Sequence, residues 1–155
     1  MTDSNWTPGE RFEKEITDEL DRLDELDGVP LYDLSIDVDP DPSDWLEWDE
    51  RERVAAIEEA HRLRLPEGHP TPGGGWMLHA SMHCIVENQL AADHPPAARE
   101  TVTRLRAEGV SRHDAIHALA SVVASHLQRA ARSRALVGVA AMERDYRALN
   151  ASVWK

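Results

Sequence analysis

His79-Ala80-Ser81-Met82-His83-Cys84-Ile85-Val86-Glu87-Asn88-Gln89-Leu90 is the stretch from which the fold is read. His79, His83 and Glu87 stand at i, i+4 and i+8. At about 100° per residue they drift by only about 80° in total, so a helix projects all three from one face. Val86 and Leu90 share that face and turn it inward. The stretch therefore predicts a helix from about Trp76 to Ala92 with a polar stripe set into a buried surface.

Downstream, Pro95 and Pro96 suit the first turn of a short helix that stops at Gly109. Ser111 and Asp114 have the spacing of a capping box and open a longer helix. That helix either runs on past Arg132 or breaks near Ser133 and resumes through Leu136, Val139, Ala140 and Tyr146; the periodicity fits both. Upstream, three prolines and four glycines between Leu65 and Gly75 make a loop. Ser43 is an N-cap for a helix from Asp44 to about Leu63, with Trp45, Trp48, Val54, Ile57 and His61 turned inward. Before it, Phe12, Ile16, Leu20, Leu23 and Leu26 mark a helix from Glu10 to Asp27, stopped by Gly28 and followed by a proline-containing acidic linker from Val29 to Pro42. Asp37, Asp39 and Asp41 alternate as a calcium loop does, but Pro40 and Pro42 interrupt them and the twelfth position is Trp48, so the linker reading prevails. No stretch alternates as a half-buried strand does. The expected fold is all-α, a bundle of about five to six helices with a histidine-rich core site. Its parts are an N-terminal helix and linker (1–42), a helical core (43–128) and a helical tail (129–155).

The eight histidines are placed more tellingly than their number suggests. His113 and His117 repeat the i, i+4 spacing on the longer helix, flanked by Ile116, Ala120, Ala124 and Leu127. Two inward His-x-x-x-His pairs, one extended by a carboxylate, are the arrangement that builds metal sites inside helical bundles. A neutral imidazole is costly to bury without a partner, and a neutral imidazole is what a metal binds. The expected ligands are His79, His83, Glu87, His113 and His117, holding iron first, with zinc or manganese as alternatives. Glu58 and His61 show the Glu-x-x-His spacing of carboxylate-bridged helices, with Glu59 as the other inward candidate. They are placed around the ligands or on a second metal. Glu108, Arg112 and Asp114 are outer candidates, Asp114 being explained more simply by capping. His69 and His94 read as surface residues, His126 lies off the histidine face, and Cys84 reads as a small buried side chain.

Composition removes whole classes of function. The chain has 155 residues, 29 acidic against 17 basic side chains and a formal net charge of -12, which opposes a phosphate-backbone grip and leaves no nucleic-acid partner expected. One cysteine excludes an intrachain disulfide and a multi-cysteine metal site. No apolar run reaches the roughly 18 residues of a membrane helix, and Met1-Thr2-Asp3-Ser4 does not open a signal peptide, so a cytoplasmic protein without membrane contact is expected.

Asp44-Trp45-Leu46, Asp49-Glu50-Arg51-Glu52-Arg53, His61-Arg62, the 79–90 stretch and Arg112-His113-Asp114-Ala115-Ile116-His117-Ala118 together resemble a bacterial family of short helical proteins catalogued as a domain of unknown function. The resemblance runs over about residues 43–128, with Cys84 standing where an aliphatic residue is expected and Asp114 where Glu is expected. It implies a shared site and names no substrate. Three functions follow from the residues. The first is an enzyme with a mono- or dinuclear non-haem iron centre, or a zinc centre, acting on a small molecule or dioxygen. The second is a structural, storage or sensing metal site. The third is an interaction module with packed histidines. A homodimer through the tail is compatible with the pattern, although no heptad run supports it.

Overall fold

The computed structural model describes residues 39–64, 75–134, 136 and 138–154. The expected helix Glu10–Asp27, the linker before residue 39 and most of the Leu65–Gly75 loop, with His69, lie outside these residues. Among the described residues the chain is all-helical, with no strand. The helices are α1 (Pro42–Glu47), α2 (Glu50–Arg64), α3 (Gly75–Ala91), α4 (Pro96–Ala107), α5 (Arg112–Ser133) and α6 (Val139–Arg147), followed by a short 3-10 turn, Ala151–Val153. None of them is long and apolar enough to cross a membrane.

Local chemistry sets the boundaries. The single helix expected from Asp44 to Leu63 is two helices. Asp41, not Ser43, caps the first: its Oδ1 accepts from the backbone N–H of Ser43 at 2.9 Å and of Asp44 at 3.4 Å, with Pro42 in the first turn. Asp49 then restarts the chain. Its Oδ1 accepts from the N–H of Arg51 at 2.8 Å and Glu52 at 2.9 Å, while Glu52 Oε2 accepts from the N–H of Asp49 at 2.8 Å. This reciprocal capping box satisfies amides that an unbroken helix would have bonded internally. Gly109, at φ 90°, closes α4. Val110 N–H reaches back to Leu105 O at 3.0 Å and Gly109 N–H to Arg106 O at 2.9 Å, a pairing that needs the left-handed residue. Ser111 caps α5 through the N–H of Asp114 at 3.0 Å. Of the two courses open to the tail, the chain takes the break: α5 runs past residue 128 without interruption, Arg134 turns left-handed at φ 54°, and α6 follows.

Helix α3 packs against α1, α2, α4 and α5, and two apolar clusters meet it on different sides. Trp45, Ala56, Ile57 and Ala60 of α1 and α2 enclose its Ala80 and Cys84. The larger cluster joins Val86 and Leu90 to α4, α5 and α6, reaching Met142, Tyr146 and Ala151 in the tail. Three consecutive residues of α3 add polar anchors. Glu87 accepts two bonds from Arg112 of α5, at 2.9 and 2.7 Å. Asn88 Oδ1 accepts from Trp45 Nε1 at 2.9 Å and from Arg53 at 2.5 Å. Gln89 Oε1 accepts the hydroxyl of Tyr146 at 2.8 Å. Because successive residues point about 100° apart, the three side chains address three different neighbours.

These anchors differ in expected weight. Truncating one partner of a buried ion pair costs about 3–5 kcal/mol, whereas a neutral hydrogen bond contributes about 1 kcal/mol. In urea unfolding Arg112→Ala is expected to lose the larger amount and Tyr146→Phe the smaller. Equal losses would reduce the Arg112–Glu87 pair to an ordinary hydrogen bond.

Candidate metal centre

Three helices bring the imidazoles together. His61 comes from the end of α2, His79 and His83 from the first half of α3, and His113 and His117 from the first turns of α5. On α3 the histidine stripe lies at the seam between the two apolar clusters, with Ala80 and Cys84 on one side and Val86 and Leu90 on the other. His83 is central. Its ring centroid lies 4.6 Å from those of His61, His79 and His117 and 5.3 Å from that of His113. His113 and His117 rings are 4.2 Å apart. One ring nitrogen from each of His61, His79, His83 and His117 lies within 4.8 Å of the other three. Metal–nitrogen bonds of about 2.0–2.1 Å place ligand atoms of one ion within such a span.

The hydrogen bonding is as informative as the distances. His83 is 0% exposed, and neither its Nδ1 nor its Nε2 has a hydrogen-bond partner; the same holds for Nδ1 of His113. Buried ring nitrogens ordinarily find partners. On His61 the Nδ1–H donates to the carbonyl of Ile57 at 2.7 Å, so that in the neutral ring Nε2 carries the lone pair, an arrangement common in metal-ligating histidines. Burial, then the neighbouring imidazoles His117, His61, His79 and His113, hold His83 well below the usual histidine range. Burial also brings His113 down to about 4, with His61 adding to the fall. All of this favours neutral rings.

Glu87, expected among the ligands, and Glu58 or Glu59, expected around them or on a second metal, are placed elsewhere. Glu87 turns its two oxygens to Arg112, since the buried guanidinium that α5 brings against it matches a carboxylate bidentately. Glu58 pairs with Arg62 at 2.5 Å, and Glu59 with the same Arg62 at 3.9 Å. Among the described residues no carboxylate joins the imidazole group. His61, expected around the ligands or on a second metal, sits directly in the group. Of the outer candidates, Glu108 pairs with Arg104 at 3.0 Å, and Asp114 Oδ2 accepts the hydroxyl of its cap, Ser111, at 2.6 Å. Arg112 also reaches Asp39 at 2.7 Å, and Asp41 is a cap, so those acids of the linker have structural partners. His94 is exposed. His126 is buried and bonds Asp145 of α6 at 2.7 Å. Burial pushes the Cys84 thiol up to about 11, and it faces the cluster on the α1 and α2 side, so it remains a packed thiol.

One feature had no signal in the periodicity. A groove of about 600 Å³ opens beside the imidazoles, with His79, His83 and His117 on its wall. Leu78, Met82, Ala124, Leu127 and Trp154 supply apolar surface around it. Trp154 follows the 3-10 turn, far from the histidines in sequence, and only the return of α6 brings it there.

A family model described as a domain of unknown function (DUF1841) matches residues 65–145. No curated protein and no solved structure matches the chain. The matched span holds His79, His83, His113 and His117, begins after His61, and takes in most of α6, which lies beyond the 43–128 span of the sequence resemblance.

The depressed histidines make the metal-free chain sensitive to acid. The unfolded imidazole titrates near 6.5, whereas folded His113 titrates at about 4 and His83 also below its ordinary range. Between these values the unfolded chain binds more protons, so stability is complete above the unfolded value and is lost as pH falls towards the folded one. Urea midpoints of chelated protein should therefore decline from pH 7 to pH 4.5. His113→Gln should flatten part of that decline, and a profile identical to that of the parent would exclude His113 as a contributor.

Proposed function

The chain belongs to the DUF1841 family, a domain of unknown function, and on that premise we propose that it is a metal-binding protein whose centre is built by His61, His79, His83 and His117, with His113 as a fifth imidazole beside them. The observation that carries the reading is the convergence of four ring nitrogens within 4.8 Å around His83, a buried ring with no hydrogen-bond partner of its own. Imidazole donors suit iron, zinc, copper or nickel better than an oxygen-seeking ion, so iron and zinc stand ahead of manganese. The absence of a carboxylate from the imidazole group among the described residues favours one ion over a carboxylate-bridged pair.

A bound ion would supply Lewis acidity or redox capacity. The residues themselves supply neutral donors, a dry surround and an approach. Three of the histidines line the open groove, which favours catalysis on a small molecule over a purely structural site. A closed structural site is the second reading, supported by a donor count that four-coordinate zinc would fill.

Elemental analysis of untagged protein tests the reading. Loss of an outer partner of a ligand already costs about 10–100-fold in metal affinity, so His61→Ala, His83→Ala and His117→Ala should each lose at least that much. His94→Ala should retain the parent stoichiometry, and Glu87→Gln should lower stability while keeping the metal. Equal metal content in all five variants at matched purity would overturn the proposal.

A further inference from the structure

We propose that the groove between α3 and α5 binds an uncharged, flat, largely apolar small molecule and presents it to the imidazole cluster; the second half of this rests on the metal reading, the first does not. Its volume, about 600 Å³, lies within the range of roughly 300–1,000 Å³ typical of small-molecule sites. Among the described residues no Asp, Glu, Lys or Arg lines it. A charged ligand would therefore give up hydration without gaining a counter-charge, and an anion would also meet a chain of net charge -12. Leu78 and Leu127 remain 49% and 42% exposed on its rim, apolar surface that a ligand would cover. Trp154 offers an aromatic wall against which a planar ring can stack.

The polar groups at the edge narrow the ligand further. Ser121 Oγ donates to the carbonyl of Ala118 at 2.7 Å, and Ser125 Oγ donates to that of Ser121 at 2.8 Å. With their hydrogens engaged, both hydroxyls keep only lone pairs at the groove's edge, and Gln128 adds an amide that can accept as well as donate. A ligand that fits bears an N–H or O–H donor on one edge of an apolar body, the opposite end lying towards His79, His83 and His117. The ligand class is a neutral aromatic amine or phenol-like molecule.

N-phenyl-1-naphthylamine and its sulfonated counterpart 1-anilinonaphthalene-8-sulfonate share a body and an N–H and differ in charge. Fluorescence titration of the full chain, metal-free and metal-loaded, should show one site for the neutral probe and at least about tenfold weaker binding of the sulfonate. Ala124→Trp fills the groove from an exposed position, and Leu78→Glu charges its rim. Each should weaken the neutral probe at least about tenfold with the circular dichroism melt retained. Cobalt-loaded protein should quench the bound probe where zinc-loaded protein does not. Equal affinity for both probes would overturn the ligand class, and unchanged affinity in both variants would overturn the site. Bound metal without cobalt quenching would overturn the placement against the imidazoles. If the chain retains no metal while the metal-free protein still binds the neutral probe and both variants weaken it, the metal reading falls and the groove stands.

Discussion

A buried imidazole with neither nitrogen hydrogen-bonded is an expense that a fold must offset. His83 is 0% exposed, and both its nitrogens lack hydrogen-bond partners. An unsatisfied buried polar group costs about 1–3 kcal/mol, so the ring would turn outward unless its helix were held on other sides. Helix α3 is held in that way. Apolar clusters grip it through Ala80 and Cys84 and through Val86 and Leu90, and the histidine stripe occupies the seam between them. An ion in the seam would turn the desolvated nitrogens from a cost into ligands, and its binding energy would add to folding energy.

The Glu87-Asn88-Gln89 triplet explains how the seam keeps its shape. A helix that carries the same face for several turns gives each neighbour little to distinguish one register from the next. Arg112 on Glu87, Trp45 and Arg53 on Asn88, and Tyr146 on Gln89 fix α5, the α1–α2 pair and α6 at a single level of α3. The histidines lie one to two turns above that level, so the separation of the His113–His117 pair from His79 and His83 follows from the Arg112–Glu87 pair. Sliding α5 along α3 would break this pair and leave a buried charge uncompensated, so the observed register is the one that satisfies both groups. Glu87 thus acts on the site at a distance, by setting where α5 stands.

Much of this was legible in residue spacing. The bounds of α3 and α4 and the start of α5 follow from apolar periodicity, prolines at 95 and 96, Gly109 and Ser111, whereas the end of α5 does not. The inward turn of His79, His83, His113 and His117 follows from their i, i+4 placement beside aliphatic residues. What was missed shares one cause, the absence of pairing information in a single chain. A stripe position does not tell whether Glu87 meets a cation of metal or of arginine, and Arg112 stands 25 positions away. His61 looked secondary because its partners are on other helices. The break at Asp49 is a different case: Asp49 and Glu52 carry the capping spacing openly, and on one continuous helix Trp45 and Trp48 would fall on roughly the opposite face from Val54, Ile57 and His61, so both the cap and the phase mark a break that a single-helix reading passes over. The groove left no local trace, since its walls come from α3, α5 and the segment after α6.

His61 has a further consequence for assembly. It is contributed by α2, which precedes the span matched by the family, whereas the other four histidines lie inside that span. Helix α2 docks on α3 through Ala56, Ile57 and Ala60 and through the Arg53–Asn88 bond, and none of these contacts involves an imidazole. Docking therefore has its own driving force, and the fourth nitrogen arrives as a result of it. If an ion binds the docked arrangement more tightly than one lacking His61, linkage requires that the ion strengthen docking by the same factor. The short apolar contact of α2 and the metal centre would then be two halves of one equilibrium, with Asn88 at the hinge: it holds Trp45 and Arg53 on one side of α3 while its neighbour Glu87 holds α5 on another.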